Sequence, residues 1–327
     1  MKKKRILLVR FSAFGDLILT TGPLWQLKSK YPSYEIDLLT SEIGSEFFNA
    51  SIEIDNTYTL PKGSGLRDMI KLYRKLPKYD TVIDWQDNFK SFFLKFFLKA
   101  EFYKIEKHSK ARRKFVKNKK ENKDLKLHVS QKYYKTLEKA FELPERYLED
   151  LRPVYPPQRM IYDSKIFDFS KAVAIHMYAS HKNKEWPHFQ NLLEKLKSDK
   201  IPVVLVGNID ETPNYEESEL VLNLINKTTI RELANVLNHC KAFVTTDSGP
   251  MHLGVAVRVP TIALFGPTTK EFGFFPRFKQ TWVFENNDLD CRPCHVHGGS
   301  ECPLKHHDCM NTISVDKVFN KLKEILV

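Results

Sequence analysis

Three stretches of the chain carry residue types and spacings that could do chemistry. The first is Arg10-Phe-Ser-Ala-Phe-Gly-Asp16, directly after the apolar run Ile6–Val9. A carboxylate between a strand and a helix can cap the helix or balance its dipole. It can equally accept the proton of an incoming hydroxyl as a general base. One side chain can do both. The stretch lacks the spaced glycines of a dinucleotide fingerprint, which argues against hydride transfer with a nicotinamide cofactor.

The second is Thr245-Thr-Asp-Ser-Gly-Pro-Met-His252. Pro250 suits the first position of a helix and Ser248 or Gly249 its cap, so free N–H groups would face a ligand, and such an end favours phosphate. Asp247 could accept from a sugar hydroxyl and His252 could donate to a phosphate oxygen; a plain structural cap with a buried histidine is the alternative. The third is Ser180-His-Lys-Asn-Lys-Glu-Trp-Pro187, where Lys184 or Lys182 would meet a diphosphate leaving group as a point charge, or serve as a surface lysine.

These stretches need a scaffold that places strand ends together. Strands at Arg5–Val9, Glu35–Leu39, Thr57–Leu60 and Thr81–Asp84 alternate with helices at Leu17–Tyr31, Ile43–Asn49 and Gly65–Lys75. Ser91–Tyr103 reads as an amphipathic helix, and Val129–Phe141 as another. Residues Leu151–Asp168, with Pro153, Pro156 and Pro157, read as a linker. The alternation restarts with strands Ala172–His176, Val203–Val206, Ala242–Thr246 and Thr261–Phe265 and helices Pro187–Ser198, Ile230–Leu237 and Pro250–Val257. Such alternation predicts two α/β halves, each a doubly wound parallel sheet with helices on both faces. Each chemical stretch then lies at a strand's carboxyl end, where open α/β sheets bind ligands.

The 327 residues, 42% of them hydrophobic, can fill two cores. No apolar run is long enough to span a bilayer, and mean hydropathy is −0.41. Met1–Arg5 followed by Ile6–Val9 imitates a signal peptide, but Arg10 and Asp16 interrupt it, so a cytoplasmic location is expected. Four of the five cysteines crowd into the last forty residues, unlike a disulfide framework spread through a secreted fold. The net charge of +12 implies attraction to polyanions, whether nucleic acid, an anionic membrane or an acidic substrate.

Taken together, the motifs resemble glycosyltransferase family 9, the lipopolysaccharide heptosyltransferases, and the type II members more than type I. The opening Arg5-Ile-Leu-Leu-Val-Arg-Phe-Ser-Ala-Phe-Gly-Asp-Leu-Ile-Leu-Thr-Thr21, Tyr79-Asp-Thr-Val-Ile-Asp-Trp-Gln86, and Asp247-Ser-Gly-Pro-Met-His252 with Phe265-Gly-Pro-Thr268 carry the likeness. The resemblance implies a GT-B fold of two facing Rossmann-like domains, 1–160 binding the acceptor and 161–327 the nucleotide sugar. It implies inverting transfer of heptose from ADP-L-glycero-D-manno-heptose to the Kdo/heptose inner core of lipopolysaccharide, with no cofactor. By position, Asp16 becomes the catalytic base, and Ser180, Lys184, Asp247, Ser248, Gly249 and His252 the donor-binding residues. The chain departs from the pattern at Tyr178 and Ala179, where many members carry a small or hydroxylated pair. A family acid aligns with either Asp210 or Glu211.

From Lys104 to Lys126 eleven basic residues face three acidic ones, a net of +8. Such a run reads as a solvated, partly disordered segment, or as one that projects from the acceptor domain toward the acidic core, with Lys90, Arg112 and Arg113 as acceptor-binding candidates. Phe92, Phe93, Phe96 and Phe97 would pack on a sheet or rest on the inner face of the membrane, making the protein peripheral there. Cys291, Cys294, Cys302 and Cys309 would hold a structural zinc or stay free. Rival functions are another nucleotide-sugar transferase of the same family, a sugar-nucleotide epimerase, and a polyanion-binding protein. No recognised nucleic-acid module is present, so no nucleic-acid partner is expected.

Overall fold

A computed structural model describes residues 4–49, 51–120, 122–149, 151–156, 159–161, 167–210, 215–277 and 279–327. The chain divides into two units, Met1–Lys107 with Leu127–Pro156, and His108–Lys126 with Pro157–Val327.

The first unit runs β1 (Arg5–Val9), α1 (Phe14–Lys30), β2 (Glu35–Thr40), α2 (Glu42–Phe48), β3 (Asn56–Thr59), α3 (Leu66–Tyr73), β4 (Thr81–Asp84), α4 (Phe89–Phe93) and β5 (Glu101–Lys104). After α5 (Ser109–Asn118), which belongs to the other unit, it closes with α6 (Val129–Glu138). All five strands are parallel, in the order β3-β2-β1-β4-β5. A parallel sheet covered on both faces needs apolar strands, and Ile6, Leu7, Leu8 and Val9 are fully buried. Leu7, Val9, Tyr73, Val82 and Leu94 belong to one core cluster.

The second unit adds β6 (Val173–His176), α7 (Phe189–Ser198), β7 (Val203–Val206), β8 (Val221–Asn223), α8 (Ile230–His239), β9 (Ala242–Thr246), α9 (Gly249–Ala256), β10 (Thr261–Phe265), β11 (Thr281–Glu285), α10 (Asp308–Asn311) and α11 (Val315–Leu326). Its six parallel strands are ordered β11-β10-β9-β6-β7-β8. Val173, Ile175, Leu205, Val244, Ile262 and Leu264 share its core with Leu192 of α7 and Phe319 of α11.

Both sheets reverse their winding direction once, between β1 and β4 in the first and between β6 and β9 in the second. Such a switch point opens a crevice at the strands' carboxyl ends. The sequence places its chemistry there.

Three expectations are corrected. Ser91–Tyr103 is not one helix: α4 ends at Phe93, a 3₁₀ turn covers Leu94–Phe96, and Glu101–Lys104 pairs with β4 as an edge strand. The basic run is ordered as α5, held because Phe115 and Leu125 are buried with Phe272 of the second unit, so it does not project from the first. Residues 151–156 pack on α1 rather than link: Val154 N–H donates to Thr21 Oγ1 at 2.8 Å and Tyr155 meets Phe47 at 5.3 Å. Gly22 permits this, since a Cβ there would lie 2.5 Å from the Arg152 carbonyl.

Candidate active site

At the switch point of the first sheet, Val9 of β1 pairs with Asp84 of β4, so the loops after the two strands run side by side. Gln86 Oε1 accepts from the N–H groups of Phe11 (2.8 Å) and Ser12 (3.3 Å), fixing the loop that feeds α1. Asp84 Oδ1 in turn accepts from the Gln86 and Asp87 N–H groups at 2.9 and 2.7 Å. The half-buried Lys107 donates to the Asp87 carbonyl at 3.2 Å, and burial together with nearby Arg10 lowers its pKa.

Asp16 is the third residue of α1 and accepts from the Ala13 N–H at 3.4 Å, so the capping reading of this residue is realised. Its carboxylate is also gripped from both sides. Arg10 Nη2 lies 2.8 Å from Oδ2, and Tyr133 of α6 donates its hydroxyl to Oδ1 at 2.7 Å. The side chain of Asp16 keeps one-fifth of its surface exposed. Arg10 is anchored by donating to the Trp85 carbonyl at 2.6 Å, and its guanidinium lies 5.5 Å from the centre of the Tyr133 ring. Burial works against the charge of Arg10, but Asp16, with Tyr133 and Asp84, outweighs that and raises its pKa. The result is an oriented carboxylate with a fixed counter-charge at a crevice edge, suited to taking a proton from a hydroxyl.

At the switch point of the second sheet, His176 pairs with Thr245, which brings together the loops after β6 and β9. Ser248 starts α9 with extended backbone, and its side chain does not cap the helix. Its hydroxyl instead donates to the Thr246 carbonyl at 3.2 Å and lies 3.3 Å from His176 Nδ1. With Pro250 next to Gly249 in the first turn, the amino end of α9 presents its N–H groups and positive dipole without a side-chain cap.

Lys184 reaches that end. Its ammonium sits 2.7 Å from Asp247 Oδ2 and donates to the Asp247 carbonyl at 3.2 Å, both residues being buried. Thr268 donates to the same Oδ2 at 2.6 Å. Burial alone would raise the Asp247 pKa, but Lys184, Thr268 and His252 together outweigh it and the value is lowered. A buried carboxylate thus holds a lysine beside a helix amino terminus, an arrangement suited to anionic oxygens. His252 is buried one turn into α9, its ring 6.3 Å from that of Phe274. Ser180 is exposed on the loop after β6. Tyr178 faces Tyr215, hydroxyl to hydroxyl at 3.3 Å. Asp210 is exposed after β7, while Glu211 lies outside the described residues.

Lys90 belongs to α4 of the first unit, whereas Arg112 and Arg113 lie on α5 and count with the second. Arg112 stands 5.3 Å from the centre of the Phe274 ring.

The cysteine-rich loop packs against the segment that carries Lys184. Among the described residues no group of three or more His, Cys, Asp and Glu is arranged to hold an ion, so the arrangement lends the zinc expectation for Cys291, Cys294, Cys302 and Cys309 no support. All four are free thiols; burial pushes Cys309 up to about 12 and also raises Cys294. The same loop grips Asn183: the Asn183 N–H donates to the Gly299 carbonyl at 3.2 Å, and the Gly299 N–H donates to Asn183 Oδ1 at 2.8 Å. Gly298, at φ +94°, lets the loop approach: a Cβ there would lie 3.0 Å from Lys184 Cε.

Sequence reasoning placed Asp16, Lys184, Asp247, Ser248, Gly249 and His252 at the two crevices. It assigned no role to Arg10 or Thr268, although both lie in the quoted motifs, and none to His176. Tyr133 it missed altogether, because nothing within a helix marks a contact with a residue 117 positions away.

A family model described as glycosyltransferase family 9 (heptosyltransferase) matches residues 69–305. The chain is 28% identical over 336 residues to lipooligosaccharide heptosyltransferase 2 of Campylobacter jejuni, covering 95% of each. Among solved structures it resembles the family 9 glycosyl transferase of Veillonella parvula (TM-score 0.74, 17% identity, 99% of this chain and 97% of that one). It also resembles the E. coli ADP-heptose lipopolysaccharide heptosyltransferase II (TM-score 0.71, 20% identity, 98% of each). Those likenesses carry the fold, and the two doubly wound parallel-sheet units are those of the GT-B class.

Proposed function

Since the chain belongs to glycosyltransferase family 9, the heptosyltransferases, we propose that it moves a heptose from ADP-L-glycero-D-manno-heptose to the Kdo/heptose inner core of lipopolysaccharide, with inversion. The observation that carries the chemistry is the carboxylate of Asp16, held on both oxygens by Arg10 and Tyr133 yet still reached by solvent. Asp16 takes the proton of the acceptor hydroxyl while that oxygen attacks the anomeric carbon. The bond from this carbon to the β-phosphate oxygen breaks, and ADP leaves with the electron pair.

Charge accumulates on the departing diphosphate, and Lys184 with the amino end of α9 stabilises it; the buried Lys184–Asp247 pair beside an uncapped helix end supports this role. Ser180, Ser248, Gly249 and His252 complete the donor site, and Asp247 holds the lysine in place. Lys90, Arg112 and Arg113 serve the phosphates and carboxylates of the acceptor. In this reading the transfer uses a protein base and anion sites and no cofactor. Because the acceptor is lipid-anchored, the enzyme works as a peripheral protein on the inner face of the cytoplasmic membrane.

The test is ADP release from ADP-heptose, with and without a deacylated Kdo-containing acceptor. Release that depends on acceptor is expected. Asp16→Ala should lower kcat by roughly 10²–10⁴-fold while donor affinity stays near wild type. Turnover at the wild-type rate in Asp16→Ala would remove the base assignment, and ADP release indifferent to acceptor would remove the transfer reading.

A further inference from the structure

Residues 88–100 contain five phenylalanines and three lysines and no acidic residue. The structure divides the phenylalanines. Phe93 and Phe97 pack against the core that holds Tyr73, Leu94 and Leu98. Phe89, Phe92 and Phe96 are 69, 54 and 70% exposed. Phe92 and Phe96 meet edge to face at 6.0 Å, and the ammonium of Lys95 stands 5.7 Å from the centre of the Phe92 ring. Lys95 and Lys99 are exposed and Lys90 is half-buried.

Single exposed hydrophobics are ordinary; three aromatic rings on successive turns of a segment whose own charges are all lysines, between Asp87 and Glu101, are not. The presentation is rigid, because Asn88 Oδ1 accepts from the Ser91 N–H at 3.1 Å and Ser91 Oγ accepts from the Asn88 N–H at 3.0 Å. It is also close to the chemistry: Gln86, three residues before Phe89, holds the loop that leads to Asp16.

We propose that Phe89, Phe92 and Phe96, with Lys90, Lys95 and Lys99, form the surface by which the first unit docks on an anionic phospholipid bilayer. Aromatic rings settle at the boundary of headgroup and acyl chain, and lysines beside them meet lipid phosphates. A second copy is the poorer occupant, since a symmetric pair would set three lysines against three. The placement of this surface near Asp16 rests on the transferase reading, because it explains how a lipid-borne acceptor is met; the binding itself does not depend on it.

The test is flotation of the whole protein, without donor or acceptor, on vesicles of equimolar phosphatidylglycerol and phosphatidylethanolamine and on vesicles of phosphatidylcholine. Wild type should float with the anionic vesicles and much less with the neutral ones. The triple variant Phe89→Ser, Phe92→Ser, Phe96→Ser should lose partitioning on the order of a thousandfold, at about tenfold per ring removed from the interface. Lys95→Glu with Lys99→Glu should lose at least about fivefold per lysine. Every variant should keep the wild-type melting temperature and its turnover on a water-soluble deacylated acceptor.

The proposal fails if wild type does not float, or if the serine variant floats as wild type does. It fails also if the serine substitutions convert a dimer to a monomer while flotation is unchanged, which would make the patch a self-association surface. Flotation as expected without acceptor-dependent ADP release would sink the transferase reading and leave the surface standing. Transfer without flotation would do the reverse.

Discussion

A carboxylate that must take a proton has to be oriented as well as present, and in this chain two other residues orient Asp16. Arg10 supplies the counter-charge and Tyr133 a neutral donor at 2.7 Å. A hydrogen bond to a charged group contributes about 1.5–3 kcal/mol, so Tyr133→Phe should lower kcat by roughly 10- to 100-fold. Donor KM should change little, because Tyr133 lies in the first unit and the Lys184 site in the second. Steady-state kinetics with each substrate varied in turn measures this. A rise in donor KM with kcat intact would show that Tyr133 does something other than position the base. Asp16 could be singled out in the sequence because it lies where the first strand's loop turns into a helix, in that helix's first turn. Tyr133 could not, because only the packing of α6 on α1 brings them together.

At the scale of elements, what could be read in the sequence tracks how deeply each element is buried. The central strands β1, β4, β6, β9 and β10 are buried along nearly their whole length, and their apolar runs announce them. β5, β8 and β11 lie at sheet edges. β5 and β11 are only partly buried and β8 spans three residues, so their patterns are too weak or too short to mark a strand. α5 was hidden by its charge: six of the ten residues from Lys110 to Lys119 are Lys or Arg, and one buried phenylalanine decides its position. The cysteine-rich loop shows the limit of spacing as evidence, because its main contact with the site runs through backbone groups of Gly299 and Glu301. That contact makes a prediction about an element rather than a charged group. Gly298→Ala would force a Cβ into the left-handed region, at about 1–3 kcal/mol of strain, and against the stem of Lys184. The loop must then shift, so donor KM should rise with all donor-site side chains intact. Isothermal titration with ADP checks it: unchanged ADP affinity in Gly298→Ala would mean that the loop does not set the position of Lys184.

At the scale of the whole molecule, acid stability should be governed in part by one group that the reaction does not use. His176 ends β6, a central strand of the second sheet, and its Nδ1 lies 3.2 Å from Thr245 Oγ1 and 3.3 Å from Ser248 Oγ. Burial lowers its pKa from the ordinary 6.5 to about 4. Between those values the unfolded chain holds a proton that the folded chain refuses, so unfolding takes up protons and stability falls as the pH is lowered. At pH 5 the loss from this group is on the order of 2 kcal/mol relative to pH 7, or about 4–8 °C in melting temperature for a unit of this size. His176→Asn keeps a polar side chain beside Ser248 and removes the titration. Its melting temperature at pH 7 should be lower than that of wild type, because its packing is poorer, yet it should fall less between pH 7 and pH 5. Calorimetry at the two pH values on both proteins measures the difference of differences. Equal falls in the two would place the acid sensitivity outside His176, and the second unit would then lose stability in acid for reasons unconnected with the switch point of its sheet.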